Sequence, residues 1–419
     1  MAKVKITGHA SGSGVVTVTA PNTSTDRTIT LPDATDTLIG ATTTDALTTR
    51  VNSSSGRKNM LINGDMRVAQ RGTSFSNTTL RQYTTDRWSS AVGSSFNLDT
   101  TITQSTTVPS GEGFKYSLKV EADSVVTPSS GENGGVMQLL EKGDVERLCY
   151  GTSSAKSLTL SFWTRSNKTG IYCVAIMQNM GNLNGSTRYS HIKEYTISSA
   201  NTWEKKTITF SGNTAQVMDA SSSETTDGLR ICWWLATGSS DHNTGDTWYA
   251  TPSFGSTSNQ VNFMDSASNE WYLTGCQLEL GSVATDFEYR SYGEEIKLCE
   301  RYYQKLTGSY AAYGQIANMN YNSASQAQTS LIYRTEMRAA PSLSYTSTSS
   351  NNSSSAYAIA NGSSNSGAVD YIDGLLLYNP NTISTLLYTD GSAGGTAREA
   401  GNLYVQSAIT ELALVAELA

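Results

Sequence analysis

The sequence predicts a mostly β protein: a short N-terminal β adaptor, an antiparallel sandwich, one linking helix and a C-terminal β domain. Three observations carry this. Of 419 residues, 58 are Ser, 54 Thr and 27 Asn, side chains that favour turns and exposed strand faces over helix interiors. Only 16% of the chain is charged, against ~25% in average globular domains. Short alternating or β-branched runs recur along the chain, separated by Gly, Asn and Ser turns.

The same composition excludes other classes. A helical bundle needs far more Ala, Glu, Lys and Leu. A net charge of −7 with no basic cluster speaks against nucleic-acid binding. No run approaches the ~18 apolar residues of a membrane span, so no membrane insertion is expected. With 37% hydrophobic residues, 22 Tyr and 7 Trp, the chain has material for real cores.

Residues 1–56 form the first segment. Val15–Thr19, Arg27–Leu31 and Asp36–Gly40 read as short strands around the turn Pro21–Asp26. A piece this small buries too little apolar surface alone, and so folds against copies of itself or a partner. Its start lacks the apolar stretch of a secretory signal, so synthesis and folding in the cytoplasm are expected. The odd count of five cysteines, without any CxxC, agrees with a reducing compartment.

Residues 57–290 form the main body. Ser157–Arg165 alternates, with Leu158, Leu160 and Phe162 on one face. Gly170–Met177, Thr202–Phe210, the nearly continuous apolar Leu229–Leu235 and Glu270–Leu280 follow as strands, together indicating two antiparallel sheets packed face to face. From residue 291 to 419, Ser291-x-x-Glu294 is a capping box opening a helix, with Ile296, Cys299, Tyr303 and Leu306 on one face. Ser-rich loops and further strands then lead to the apolar end 411–419, expected as a strand buried in an intersubunit core.

Three stretches together resemble phage tail-fibre or receptor-binding proteins of marine and cyanobacterial phages. Ile6–Gly14 with Ala20–Ala34 is similar to the N-terminal module of such fibres. Asn59–Gly72 with Asp86–Trp88 is similar to the start of their sandwich domain. Leu273–Glu294 with Cys299–Tyr303 is similar to its end and the following helix. The middle domain also resembles jelly-roll carbohydrate-binding modules. The resemblance implies a homotrimeric virion fibre, attached through residues 1–56 to another virion protein of tail or capsid, whose jelly-roll binds host cell-surface polysaccharide. A structural capsid or head-fibre decoration protein and a glycan depolymerase are the alternatives. In such modules an Asn-Gly-Asp start and a late Asp often hold calcium. Here Asn63-Gly64-Asp65 is present, but Gly275-Cys276 stands at the late position. No cofactor is therefore expected, with a structural calcium left open.

Chemistry leaves little trace. Three His, no GxSxG and no HExxH argue against a nucleophile elbow or a zinc site. Paired carboxylates are the enzyme alternative, with Glu279, Glu288, Asp241 and Asp246 as candidates by type. No spacing aims two of them at one point, and no catalytic residue is assigned. Glu279 is expected in a structural ion pair with Arg71 or Arg87. Sugar binding asks for flat rings beside amides and hydroxyls. Candidates are Trp163, Tyr172, Trp234, Trp248 and Tyr249, with Asp241 and Asn243 from the mixed loop 237–254. Alternation puts Trp163 opposite Phe162 and Trp234 opposite Trp233, so one of each pair leaves the core. Tyr321, Tyr345 and Tyr357 mark a rival C-terminal tip.

Overall fold

The computed structural model describes residues 57–418, apart from 77–80, 93–98, 179–187, 219–222, 252–254, 307–314, 324–325, 348–356, 362–368, 373, 391–399 and 406–408. The chain divides into two compact units, Met1–Leu47 and Thr48–Ala419. The expected attachment segment, residues 1–56, lies outside the described residues.

Twelve strands make the sandwich: β1 Ser74–Phe75, β2 Ser89–Val92, β3 Thr100–Ser105, β4 Ser117–Ala122, β5 Asn133–Glu141, β6 Leu158–Ser166, β7 Gly170–Gln178, β8 Arg188–Ile197, β9 Glu204–Phe210, β10 Asp227–Thr237, β11 Trp248–Thr251 and β12 Glu270–Leu280. They form two six-stranded sheets, the first ordered β1-β3-β4-β12-β6-β9 and the second β11-β8-β7-β10-β5-β2. All pairings are antiparallel, and the chain passes repeatedly from one sheet to the other, as in a jelly roll.

Alternation dictates the core. Leu158, Leu160 and Phe162 of β6, Leu118 and Val120 of β4, and Ile231, Trp233 and Leu235 of β10 all enter one inter-sheet cluster. Aromatic rings fill its centre: Phe162 meets Trp233 edge-on at 5.7 Å and Tyr195 at 5.2 Å. The second sheet is also covered on its outer face. Cys173 and Ala175 of β7, Cys232 and Trp234 of β10, and Met137 and Leu139 of β5 form a second apolar layer with Ile62, Val68, Cys299, Tyr302 and Leu418. This explains why β10 reads as an almost unbroken apolar run: both its faces are dry.

The segment before β1 is sewn to β12 and to the segment after it. Asn59 donates from Nδ2 to the Cys276 carbonyl at 2.9 Å and accepts from Leu278 N–H at 3.1 Å. Arg290 donates to the carbonyls of Asn59 and Leu61 and pairs with Glu288 and Glu295. Asn63-Gly64-Asp65 serves this seam. Asn63 bonds the backbone of Val68 and Asp86, and Asp65 pairs with Arg67. Gly64 lies so close to β12 that a Cβ there would stand 2.2 Å from the Cys276 oxygen. Gly275 takes φ +61 where the register of β12 against β6 slips, a left-handed conformation natural to glycine.

The helix Tyr292–Glu300 begins with the expected capping box: Ser291 Oγ accepts from Glu294 N–H, and the Glu294 carboxylate accepts from Ser291 N–H. Ile296 and Cys299 lay the helix on the outer face of the second sheet. Tyr303 belongs to the next strand rather than to the helix.

Ten further strands follow: β13 Tyr303–Lys305, β14 Gln315–Ser323, β15 Gln326–Ile332, β16 Ser342–Ser347, β17 Tyr357–Asn361, β18 Val369–Ile372, β19 Gly374–Tyr378, β20 Ser384–Asp390, β21 Ala400–Val405 and β22 Ile409–Val415. They form a three-stranded sheet, β13-β22-β16, and a seven-stranded sheet, β18-β17-β21-β14-β15-β20-β19. Met319, Tyr321, Ala327 and Leu387 of the larger sheet share a core with Leu412 of β22. The apolar C-terminus is thus buried within its own chain, as the central strand of the smaller sheet. The expectation of an intersubunit core is corrected: β13 and β16 pair with its edges, and Met319, Tyr321, Leu387, Tyr333 and Met337 of the same chain pack on its apolar side chains.

A buried charge cluster fastens this terminus to the sandwich. The Glu417 carboxylate pairs with Arg71 at 2.8 Å and with Arg87. The guanidinium of Arg87 lies 3.4 Å from the Tyr302 ring centroid and donates to the Leu139 carbonyl; that of Arg71 lies 3.7 Å from the Tyr303 ring. Arg338 donates to the carbonyls of Ala416, Glu417 and Thr225, and Tyr83 donates to that of Leu418. Glu279 is therefore not the partner of Arg71 or Arg87. It accepts instead from Gln277 and from the N–H and hydroxyl of Thr285, holding the turn after β12.

Candidate functional site

The predicted ligand residues separate when placed on the fold. Tyr172 is fully buried between the sheets, stacked on Tyr195 at 5.8 Å, with its hydroxyl donating to the Lys168 carbonyl. It has no face left for a ligand. Trp234 points away from Trp233 as expected, but into the second apolar layer. It is 5% exposed, and a Cβ on Gly255 would lie 2.6 Å from its ring.

The loop after β10 is a buckle rather than an open cradle. Gly238 and Ser240 donate to the carbonyls of Glu132 and Ser130, the Asp241 carbonyl accepts from Gly255 and Ser256, and Asn243 donates to Ser256. The Asp241 side chain is buried and accepts from Asn133 at 2.8 Å; burial pushes its carboxyl up to about 6. Asn243 caps its own turn by accepting from Thr244 N–H at 2.7 Å. Trp248 is half-buried against Tyr150 and His191, its indole N–H donating to Ser211. Tyr249 hydrogen-bonds to the Thr244 hydroxyl. Asp246 pairs with Lys193 at the surface, and Glu288 holds the N–H groups of Lys58 and Asn59. The carboxylates named as candidates for chemistry thus each hold part of the scaffold. Of the rival tip, Tyr321 is buried, and the side chains of Tyr345 and Tyr357 lie outside the described residues.

Trp163 is different. It stands on the outer face of the first sheet, half-buried, opposite Thr274 of β12 and Lys205 of β9. This face carries a cross-strand row. Arg165 of β6 pairs with Tyr272 of β12, which pairs with Lys119 of β4. The Arg165 guanidinium lies 4.9 Å and the Lys119 ammonium 5.7 Å from the Tyr272 ring centroid. Trp203, just ahead of β9, extends the row. Its half-buried ring meets Tyr272 edge-on at 6.0 Å. Trp203 is two residues from Lys205, the partner of Trp163, so the two tryptophans occupy diagonal positions on neighbouring strands.

Charge is distributed unevenly on this face. Burial works against the charge on Lys119, but the hydrogen bonds it donates to Glu121 and Glu270 outweigh it and raise its pKa. The hydrogen bond from Lys119 in turn holds Glu270 below its ordinary value. Arg165 bonds only to Asn201, through its carbonyl at 2.9 Å and its side-chain oxygen at 3.0 Å, and has no carboxylate partner among the described residues. Lys205 is exposed, also without one. The face thus offers two half-buried indoles beside two cations that form no direct ion pair among the described residues, Arg165 acting on Glu270 only through its charge. Trp203 was missed in the sequence because its place on this face depends on the strand order β12-β6-β9. The available signal was the Thr202-Trp-Glu-Lys run at a strand start.

No family model matches the sequence, and no curated protein matches it. Among solved structures, the chain is similar to a protein from Bacteroides thetaiotaomicron described as sugar binding, at 10% identity and TM-score 0.31, over 53% of this chain and 100% of that one. It is similar to the enzymatically active domain of tailspike protein 4 of bacteriophage CBA120, at 13% identity and TM-score 0.27, over 53% of this chain and 21% of that one. It is also similar to the family 11 carbohydrate-binding module of a Clostridium thermocellum cellulase, at 14% identity and TM-score 0.24, over 51% of this chain and 98% of that one. At such identities and scores, what these proteins bind or cleave says nothing of this chain.

Proposed function

We propose that the protein binds a cell-surface polysaccharide through the outer face of its first sheet and performs no chemistry on it. The supporting observation is the diagonal pair Trp163 and Trp203, half-buried and flanked by Arg165 and Lys205. Indole faces stack on the apolar face of a pyranose, while cations and nearby amides read its oxygens. A rigid antiparallel sheet holds the rings in place, so little ordering opposes binding.

The finer reading is a phage fibre that adsorbs to its host, made in the host cytoplasm and carried on the virion. It rests on the resemblance of the stretches around residues 6–34, 59–88 and 273–303. In this reading residues 1–56 attach to a tail or capsid protein, and the chain assembles as a homotrimer. Three copies then combine weak single-site affinities by effective concentration.

Titration of host lipopolysaccharide and capsule against the full chain tests the binding. Saturable binding that is lost in Trp163→Ala/Trp203→Ala is expected. Wild-type protein that binds neither polymer would remove the proposal, and undiminished binding by the double variant would remove this face from it. Release of reducing ends from the polymer would overturn the non-catalytic part. Antibody labelling of intact virions separates tail adsorption from capsid decoration.

A further inference from the structure

We infer that the exposed face of the seven-stranded sheet holds a second, separate site for a neutral oligosaccharide. Gln326 and Gln328 of β15, Leu386 of β20 and Tyr378 of β19 line a groove of about 200 Å³. The register puts these side chains on one face: Gln328 pairs with Asn320, and Leu386 pairs with Tyr378. That face is opposite the one carrying Tyr321, Ala327 and Leu387 into the core.

The chemistry selects the ligand. Asn322 Nδ2 donates to the side-chain oxygens of Gln326 at 3.2 Å and Gln328 at 3.3 Å. Those bonds orient both glutamine amides by their oxygens, and neither Nε2 has a partner among the described residues. Two aligned amide donors sit beside a tyrosine that is 53% exposed, with Leu386 completing an apolar wall. None of Asn320, Asn322, Gln326, Gln328, Leu386 and Tyr378 is charged, so the groove has no counter-charge to offset the desolvation of a carboxylate or sulfate. Amides both donate and accept, as sugar hydroxyls do. The groove is smaller than the ~300–1,000 Å³ of sites for drug-sized ligands, a size suited to a single ring.

The test is calorimetry of the full chain against neutral gluco-, galacto- and manno-oligosaccharides, with uronic-acid oligomers in parallel. One neutral series is expected to bind, with affinity falling about tenfold in Tyr378→Ala and in Gln328→Ala. Trp163→Ala/Trp203→Ala is expected to keep this binding, which separates it from the first-sheet surface. Tyr378 is exposed, so its variant is expected to melt like the wild type. The inference is overturned if no neutral series binds, if only the acidic oligomers bind, or if both groove variants bind like the wild type. A change of molecular mass by light scattering in Tyr378→Ala, without sugar, would assign the face to a second copy of the chain and overturn it too.

Discussion

Removing the Glu417 carboxylate tests whether the buried charge cluster joins the C-terminal domain to the sandwich. The side chains of Glu417, Arg87 and Arg71 are 6%, 1% and 9% exposed. In Glu417→Ala two guanidiniums stay buried without their counter-charge. Breaking a buried pair from one side costs about 3–5 kcal/mol, because the remaining charge is neither paired nor hydrated. The lower end applies here. Arg87 keeps the Leu139 carbonyl and the Tyr302 ring, and Arg71 keeps the Tyr303 ring. A loss of about 3 kcal/mol corresponds to a fall in Tm of roughly 6–12 °C at ~2–4 °C per kcal/mol. Scanning calorimetry reads this, and the endotherm is expected to split as the C-terminal sheets melt apart from the sandwich. Raising salt from 0.1 to 1 M should change little, since the pair is screened from solvent. Replacing the charges together with apolar side chains, Arg71→Met/Arg87→Met/Glu417→Leu, should recover most of the loss. A Glu417→Ala protein melting within about 1 °C of wild type, in one transition, would falsify the reasoning.

Other outcomes follow from single positions. His191 is buried beside Phe210 and Trp248, and burial, then the charge of Lys193, lowers its pKa to about 4. A base whose folded value is depressed contributes stability above its unfolded value near 6.5, lost as pH falls toward 4. His191→Phe should therefore flatten the acid side of a Tm-versus-pH curve, and an unchanged slope would count against it. Asp241 has the opposite sign: its value is raised from 3.8 to about 6, so its contribution is full below 3.8 and lost as pH rises through 6. Asp241→Asn, which can still accept from Asn133, should raise Tm at pH 7 but not at pH 4; equal shifts at both would refute this. Gly64→Ala forces a Cβ against the Cys276 carbonyl and should cost more than about 1–3 kcal/mol by denaturant titration, unlike Gly293→Ala, where nothing lies within 4 Å.

Local patterns in the sequence carried the strands and the helix cap. Glu270–Leu280 was read with the ends that β12 has, because period-2 alternation and flanking turns are local signals. Ser291 and Glu294 announced their helix for the same reason. Alternation also assigned Trp233 and Trp234 to opposite faces. It could not tell that the second face is dry, because its cover comes from Val68, Cys299 and Leu418, far along the chain. The same distance hid the pairing of Glu417 with Arg71 and Arg87. It sent Glu279, nearer in type than in space, to the wrong partner. Tyr172 was misplaced as a ligand residue because a strand with two buried faces gives no pattern to separate its inner side from its outer side.

The two sheets of the sandwich also differ in how freely they can vary. Cys173, Ala175 and Met177 of β7 and Cys232 and Trp234 of β10, which face away from Trp233, are still interior, so a substitution at Cys173, Ala175 or Cys232 disturbs packing in a second layer. On the first sheet, Lys119, Trp163, Arg165 and Lys205 look outward, and no apolar cluster among the described residues covers them. Changes there leave the core intact and alter only what the surface meets. Within the sandwich, these outward positions of the first sheet can be rewritten residue by residue while the opposite sheet keeps the domain folded.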